Sequence, residues 1–484
     1  MVNPQPHRSQ RLVWLEGIRI FAVIGLLLYH AQVVFTGSPY TPQPTGLLDN
    51  WQHLLIANQH FQQGGFFFHL ISSLVWFGFQ FFSVFILLSG FTLVLSLQGK
   101  TLETGPFLRQ RFARILWPLW TIAWLGYPIL WALGTATGRS SYEAWTILVG
   151  STFPLAFAFD GAVLVQTSQS WWFVPLILSL VGGFPWLWTL LQRWGSRNLL
   201  VVALFVTLVY RGLAIYWLDS PFPYSLPLAA NNGWQPFLLL PASLGTFVLG
   251  MGAGHSYCQG RGPAFWQPRQ ALLLGLLLYS LGFFCQFYRW GWLLTDLLLP
   301  SGLVLVGMVG FRALAKSQLM QQMVLGLGGY SYSFFLIHGL VVDHTIHWVI
   351  QDNTGLYFLL LPIMIVGTLI LAILVEYISP LLQRLVVGLL RDVDYVLCQN
   401  PDPPVAAWQP VVGDPVCYRG ESGWTIVKVE QLLDEQEFWL CQVSNGWKSI
   451  WVRQEDLEPA ANSPQALAIR SSPDRPNQSS AFDQ

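Results

Sequence analysis

Glu16, Arg19 and His30 are types that an apolar helix avoids, yet all three stand in one apolar stretch, RLVWLEGIRIFAVIGLLLYHAQVVF at residues 11–35. A charged residue in mid-span costs roughly 3 kcal/mol even on a lenient insertion scale, so a plain membrane anchor has no use for them. On a helix, Arg19 and His30 are three turns plus about 20° apart, which puts both on one face at depths about 16 Å apart. The stretch therefore presents a cation and an imidazole at two levels. A guanidinium there stabilises developing negative charge. An imidazole takes a proton from a hydroxyl or acts as a nucleophile. Glu16, one turn before Arg19, is placed to hold the guanidinium.

Further along the chain, Arg111 and Arg114 share a helix face and read either as an anion grip or as an inner-leaflet anchor pair. In GYSYSFFLIH, residues 329–338, Ser331 and Tyr332 open a span and His338 follows well inside it. A lone membrane histidine is more often a helix-to-helix hydrogen bonder than a catalyst. Asp343, His344 and His347 share helix faces, but no fourth ligand is evident, and no metal is expected. FILLSGF, residues 85–91, reads as ordinary packing in which Ser and Gly let helices approach. Ser170-Trp-Trp-Phe173 reads as part of an interfacial aromatic belt. Glu376, in VEYISP, is expected to pair with an inner arginine.

These stretches, in this order, resemble the membrane acyltransferase-3 family. EGIR at 16–19, followed by ten residues and then His30, is similar to its opening helix. Residues 85–91 are similar to its second-helix Phe-Phe-x-x-Ser-Gly-Phe run, and RFARILWP at 111–118 to its R-x-x-R-x-x-x-P. SWWF at 170–173 resembles its Trp-Phe signature, and SYSFFLIH at 331–338 its Ser-Tyr-Ser-x-x-x-x-His. The resemblance covers about residues 10–390. It implies an O-acyltransferase that moves an acetyl or similar short acyl group from cytoplasmic acyl-CoA to a hydroxyl of a carbohydrate or lipid acceptor of the cell envelope. It implies His30, Arg19, Glu16 and His338 as catalytic residues, and Arg111, Arg114, Ser331 and Tyr332 as binders of acyl-CoA. The gap between Arg19 and His30 then requires either an adjacent helix carrying His338 or separate capture and transfer steps. A transporter or flippase of a glycan or lipid precursor would also need polar residues inside the membrane. It stands as the alternative, and it consumes no coenzyme A.

The elements that must position these residues are membrane helices. Of the 484 residues, 53% are hydrophobic and only 10% charged, against about 25% charged in soluble domains. The net charge of zero argues against nucleic acid as a partner. Ten spans are expected at about 12–35, 71–97, 113–134, 171–191, 198–218, 234–254, 270–288, 292–311, 326–349 and 356–386. A weaker run at about 143–165 reads as re-entrant or interfacial. The first span is too long for a signal-peptide core and is expected to be retained. Basic residues alternate between loops, with Arg211 and Arg289 counted on the sparse outer side. The positive-inside rule then puts both termini in the cytoplasm, in a multi-pass protein of the plasma (inner) membrane.

The expected fold is thus an all-α polytopic membrane protein of about ten transmembrane helices, followed by a small all-β SH3-like barrel. The expected division is 1–395 for the transmembrane domain, 396–410 for a Pro-rich linker, 411–460 for the barrel and 461–484 for a disordered tail. Turns are expected at Asp434-Glu435 and Asn445-Gly446. The barrel reads as a docking module for a protein partner. The five cysteines show no metal-binding spacing. They are expected as free thiols, with Cys417 and Cys441 as neighbours.

Overall fold

The structure is a computed structural model of the chain. It describes residues 12–37, 40–59, 61, 65–97, 101–138, 150–154, 169–218 and 239–397. In the C-terminal part it describes 412, 415–418, 421–432, 438–446, 449–453 and 457–459. The chain divides into two compact units, 1–387 and 388–484.

The first unit is helical. Its opening elements are α1 (Val13–Thr36), α2 (Leu47–Ala57), α3 (Gly65–Val75) and α4 (Phe81–Ser96), the last two joined by a 3-10 turn over Trp76–Gln80. Then come α5 (Thr104–Thr121), α6 (Tyr127–Ala136), α7 (Phe173–Gly212) and α8 (Leu240–Cys258). It closes with α9 (Pro268–Cys285), α10 (Thr295–Leu314), α11 (Gln318–Gly328), α12 (Ser331–Thr345) and α13 (Thr354–Leu397). Among the described residues, eight helical stretches are long and apolar enough to cross a membrane.

Within the described residues, the ten expected spans fall on these helices, two of them on α7 and three across a pair of neighbouring helices, and the difference in number has physical causes. The stretch Ser170–Trp217 holds two expected spans in one element, bent at Gly195, whose φ of 77° only glycine adopts easily. The helix α8 carries Gly245, Gly250, Gly252, Gly254 and His255, which lower its hydropathy. The expected span 326–349 is interrupted: α11 ends at Gly328 and α12 starts afresh at Ser331. Most of the run 143–165 lies outside the described residues.

The glycines of α8 do a specific job. A Cβ on Gly250 would strike the carbonyl oxygen of Leu87, and one on Gly90 the carbonyl oxygen of Phe247. The two helices α4 and α8 therefore pack backbone against backbone, as small residues allow where lipid gives no hydrophobic drive. Gly90 belongs to the FILLSGF run, so that run does pack as expected.

Arg211 is not an outer-loop residue. It is 1% exposed and forms an ion pair with Asp296. Its guanidinium also donates to the Trp292 carbonyl, and Ser83 Oγ donates to Asp296 Oδ1 at 3.0 Å. One carboxylate thus ties α4, α7 and α10 together.

The C-terminal unit contains five antiparallel strands: β1 (Pro415–Tyr418), β2 (Glu421–Leu432), β3 (Phe438–Ser444), β4 (Ser449–Arg453) and β5 (Leu457–Pro459). Their order is β4-β3-β2-β1-β5. Among the described residues this is an open sheet with β4 and β5 at its edges, not the closed barrel expected. Its core alternates along the strands as a half-buried sheet requires, with Trp424 and Ile426 on β2 facing Cys441 and Val443 on β3. Cys441 is a buried free thiol. Asn445 and Gly446 lie in the β3–β4 loop, and Gly446 takes a φ of 88°. The Asp434-Glu435 turn, the proline-rich residues 398–411 and the tail lie outside the described residues.

The buried ion pair yields a stability prediction. Asp296→Ala leaves the Arg211 charge buried without its partner and is expected to cost roughly 3–5 kcal/mol. Replacing both residues, Asp296→Leu with Arg211→Met, is expected to recover most of that loss. Thermal unfolding in detergent reads both. A double variant as unstable as the single would show that the pair is not the source of the loss.

Candidate active site

The site is built around α1. Arg19 Nη1 bonds Glu16 Oε1 at 3.1 Å, and its Nη2 donates to Thr92 Oγ1 on α4 at 3.4 Å. The i, i+3 spacing brings carboxylate and guanidinium together, and burial strengthens their attraction. Glu16 is only 6% exposed, because Gly328 at the end of α11 lies against its carboxylate. Glu16 Oε2 has no hydrogen-bond partner among the described residues.

Glu16 and Arg19 line a cavity of about 500 Å³, together with Ser89 and Thr92 of α4, Arg111 and Arg114 of α5, Ser331 and Tyr332 of α12, and Glu376 of α13. Three guanidiniums face two carboxylates there, so the ionised lining is cationic. Arg111 Nη2 donates to Ser96 Oγ at 2.6 Å, and the guanidinium sits 5.5 Å from the Phe107 ring. Among the described residues, its buried Nε has no hydrogen-bond partner. Arg114 is exposed.

The α12 helix opens at this cavity. Its first-turn amides have no intrahelical acceptor, which makes such a helix start an anion-binding feature. Ser331 Oγ donates to the Gly328 carbonyl at 2.9 Å, and Tyr332 OH donates to the Ile115 carbonyl on α5 at 3.0 Å. Ser333 Oγ donates to Glu376 Oε1 at 2.5 Å. Glu376 therefore takes a hydroxyl of α12 rather than the arginine expected for it.

The histidines sit elsewhere. His30 and His338 do not line the cavity, yet they meet each other: His30 Nδ1 lies 2.6 Å from His338 Nε2, with ring planes within 7° of parallel. Their proton arrangement follows from a third contact. His338 Nδ1 is 2.5 Å from the Phe335 carbonyl, which can only accept, so the proton is on Nδ1. Neutral His338 then accepts at Nε2, His30 donates from Nδ1, and the lone pair of His30 stands on Nε2. His338 is fully buried, whereas His30 is half-buried. His338 thus stands beside His30.

Aromatic rings occupy the space between cavity and histidines. Phe85, Phe173 and Phe335 line the cavity. Phe335 also lies 5.5 Å, centroid to centroid, from His338, and Phe82 lies 6.0 Å from His30. The Trp-Trp-Phe segment is core and not an interfacial belt: Trp171 is fully buried and donates from Nε1 to the Leu336 carbonyl at 2.9 Å, which pins α12. At the far end of α12, His347 pairs with Asp343 at 3.2 Å while His344 Nδ1 bonds the Leu340 carbonyl. Among the described residues, no group of three or more His, Cys, Asp or Glu side chains is placed to hold a metal ion.

Of the eight residues singled out from sequence, six converge on one cavity: Glu16, Arg19, Arg111, Arg114, Ser331 and Tyr332. The other two form the imidazole pair. Sequence reasoning missed Thr92, Ser96 and the phenylalanine wall. Thr92 and Ser96 had a usable signal, since each is a polar residue one to two turns past Ser89 on an otherwise apolar helix. Residues 12–377 match the acyltransferase-3 family model, described as an acyltransferase domain. No match was found among the curated proteins or the solved structures.

The cavity makes a labelling prediction that is independent of activity. In protein whose five native cysteines are replaced by Ser, Ser89→Cys and Ser331→Cys are expected to react with a hydrophilic maleimide. Ser333→Cys, at a site with no exposure, is expected to stay unlabelled. Equal labelling at residues 331 and 333, measured by intact-protein mass, would contradict the cavity's position.

Proposed function

Because the chain belongs to the acyltransferase-3 family, and is thereby a membrane acyltransferase, we propose that it transfers a short acyl group from acyl-CoA to a hydroxyl of a carbohydrate or lipid of the cell envelope. One observation carries this reading. A cationic cavity formed by Arg19, Arg111, Arg114 and the start of α12 lies one layer of aromatic side chains from a paired imidazole base.

Each part has a task in the transfer. Arg111, with its free Nε, and Arg114 bind the donor phosphates; guanidinium suits that planar, bidentate recognition. The first-turn amides of α12, that of Ser331 among them, add donors at the same mouth. Arg19, oriented by Glu16 and Thr92, holds the inner part of the donor. His30 Nε2 removes the proton from the acceptor hydroxyl. The oxygen attacks the thioester carbonyl, the carbon–sulfur bond breaks, and the departing thiolate receives the proton that His30 took up. His338 keeps His30 in the productive tautomer and shares the charge of the imidazolium through the bond between them. In this reading both termini are cytoplasmic, the membrane is the plasma membrane, and the C-terminal sheet docks a protein partner without entering the site.

The test uses membranes containing the full chain and labelled acetyl-CoA, with mass spectrometry of envelope glycans and lipids as the second readout. His30→Ala is expected to keep donor binding and to lose transfer by a factor on the order of a hundred or more. Arg111→Ala and Arg114→Ala each remove charge-assisted hydrogen bonds worth about 1.5–3 kcal/mol, or about tenfold or more in donor affinity. The chain cut after Asn400 is expected to transfer normally. Transfer at the normal rate by His30→Ala would remove the base from the mechanism.

A further inference from the structure

The partition between the cavity and the imidazoles is one side chain thick. Phe85 of α4, Phe173 of α7 and Phe335 of α12 stand with ring centroids 6.2 Å apart for 85–173, 6.3 Å for 85–335 and 5.5 Å for 173–335. Rings at these spacings touch, so they close the apolar end of the cavity. Ile177 and Val181, one and two turns beyond Phe173, complete the apolar lining there. The far side of the same wall meets the base, since Phe335 also packs against His338.

The wall is held in place. Phe173 and Phe335 are 5% and 3% exposed, and Phe82 backs Phe335 from 6.0 Å. Trp171, two residues before Phe173, donates to the carbonyl of Leu336, the residue after Phe335. The two larger barriers to movement therefore sit on elements that are bonded to each other. Phe85 is half-buried and is the least confined of the three.

Resting on the acyltransferase reading above, we propose that Phe85, Phe173 and Phe335 select the donor by the length of its acyl chain. A donor whose phosphates are held among the arginines runs its acyl end toward this wall. An acetyl group meets the rings without displacing them. Each further methylene must displace a packed ring, and inserting atoms into a filled space is unfavourable. The three phenylalanines act by shape and exchange no proton, so they are specificity residues.

The experiment measures binding of CoA, acetyl-CoA and hexanoyl-CoA to the full chain in nanodiscs, for the wild type, Phe335→Ala and Phe85→Leu. The wild type is expected to bind acetyl-CoA at least about tenfold more tightly than hexanoyl-CoA, since one methylene in a shaped pocket is worth tenfold or more. Phe335→Ala is expected to level or invert that ratio, with affinity for CoA itself unchanged. Phe85→Leu, at a half-buried position that folding tolerates better, is expected to shift the ratio the same way by a smaller factor. CoA binding retained with an unaltered chain-length ratio in both variants overturns the role of the wall and leaves the donor site standing. No binding of CoA or either thioester by the wild type overturns both.

Discussion

One hydrogen bond orders the centre of this protein: His338 Nδ1 donates to the Phe335 carbonyl. It fixes the tautomer of His338, which in turn makes His30 the donor in the bond between them and leaves His30 Nε2 with a lone pair. The same residue that accepts the bond also supplies the ring that closes the cavity. His338, which orients His30, and the ring of Phe335 thus stand on one turn of α12, and anything that shifts that turn shifts both. Trp171 reaches the next carbonyl, at Leu336, so the turn is braced from a second helix.

The rest of the helical unit serves to keep polar groups at set depths without leaving them uncompensated. Glu16 and Arg19 answer each other, Asp296 answers Arg211, and Glu376 takes a hydroxyl from Ser333. Desolvating any of these groups alone would be costly, and the two pairs that join different helices, Asp296 with Arg211 and Ser333 with Glu376, also fix the register of those helices. Close backbone contact between α4 and α8, through Gly90 and Gly250, sets the position of Phe85 and Thr92 relative to α1. Among the described residues, Glu16 Oε2 and Arg111 Nε have no hydrogen-bond partner, and Arg114 is exposed. In the proposed reading, the anionic donor engages these groups.

Much of the site was readable in the sequence because charge inside an apolar helix has so few uses. Arg19, Glu16 and His30 declare themselves on that ground, and Arg111 with Arg114 by their shared face. The pairing of His30 with His338 was not readable, since 308 residues separate them and either histidine alone fits a structural role. The phenylalanine wall was hidden by composition: among 33 phenylalanines, most of them packing residues, nothing in the sequence distinguishes three. Arg211 misled because a lone arginine near the end of an apolar run resembles an outer-loop charge. Only the fold brings Asp296 to it. The break at Gly329 and Tyr330 was likewise masked by apolar residues on both sides, although it is this break that starts α12 at the cavity. In the C-terminal unit, turn signals between short apolar runs pointed to an all-β module, but turn signals carry no information about whether a sheet closes.

The central claim is that one donor lies across the cationic cavity with its acyl end against the aromatic wall. A cryo-electron microscopy structure of the full chain in nanodiscs with S-ethyl-CoA, a thioether that cannot transfer its ethyl group, tests it directly. The account predicts phosphate density within hydrogen-bond reach of Arg111 and Arg114, with the ethyl group beside Phe85, Phe173 and Phe335. Density for the ligand at any other place on the protein, with this cavity left empty, would contradict it.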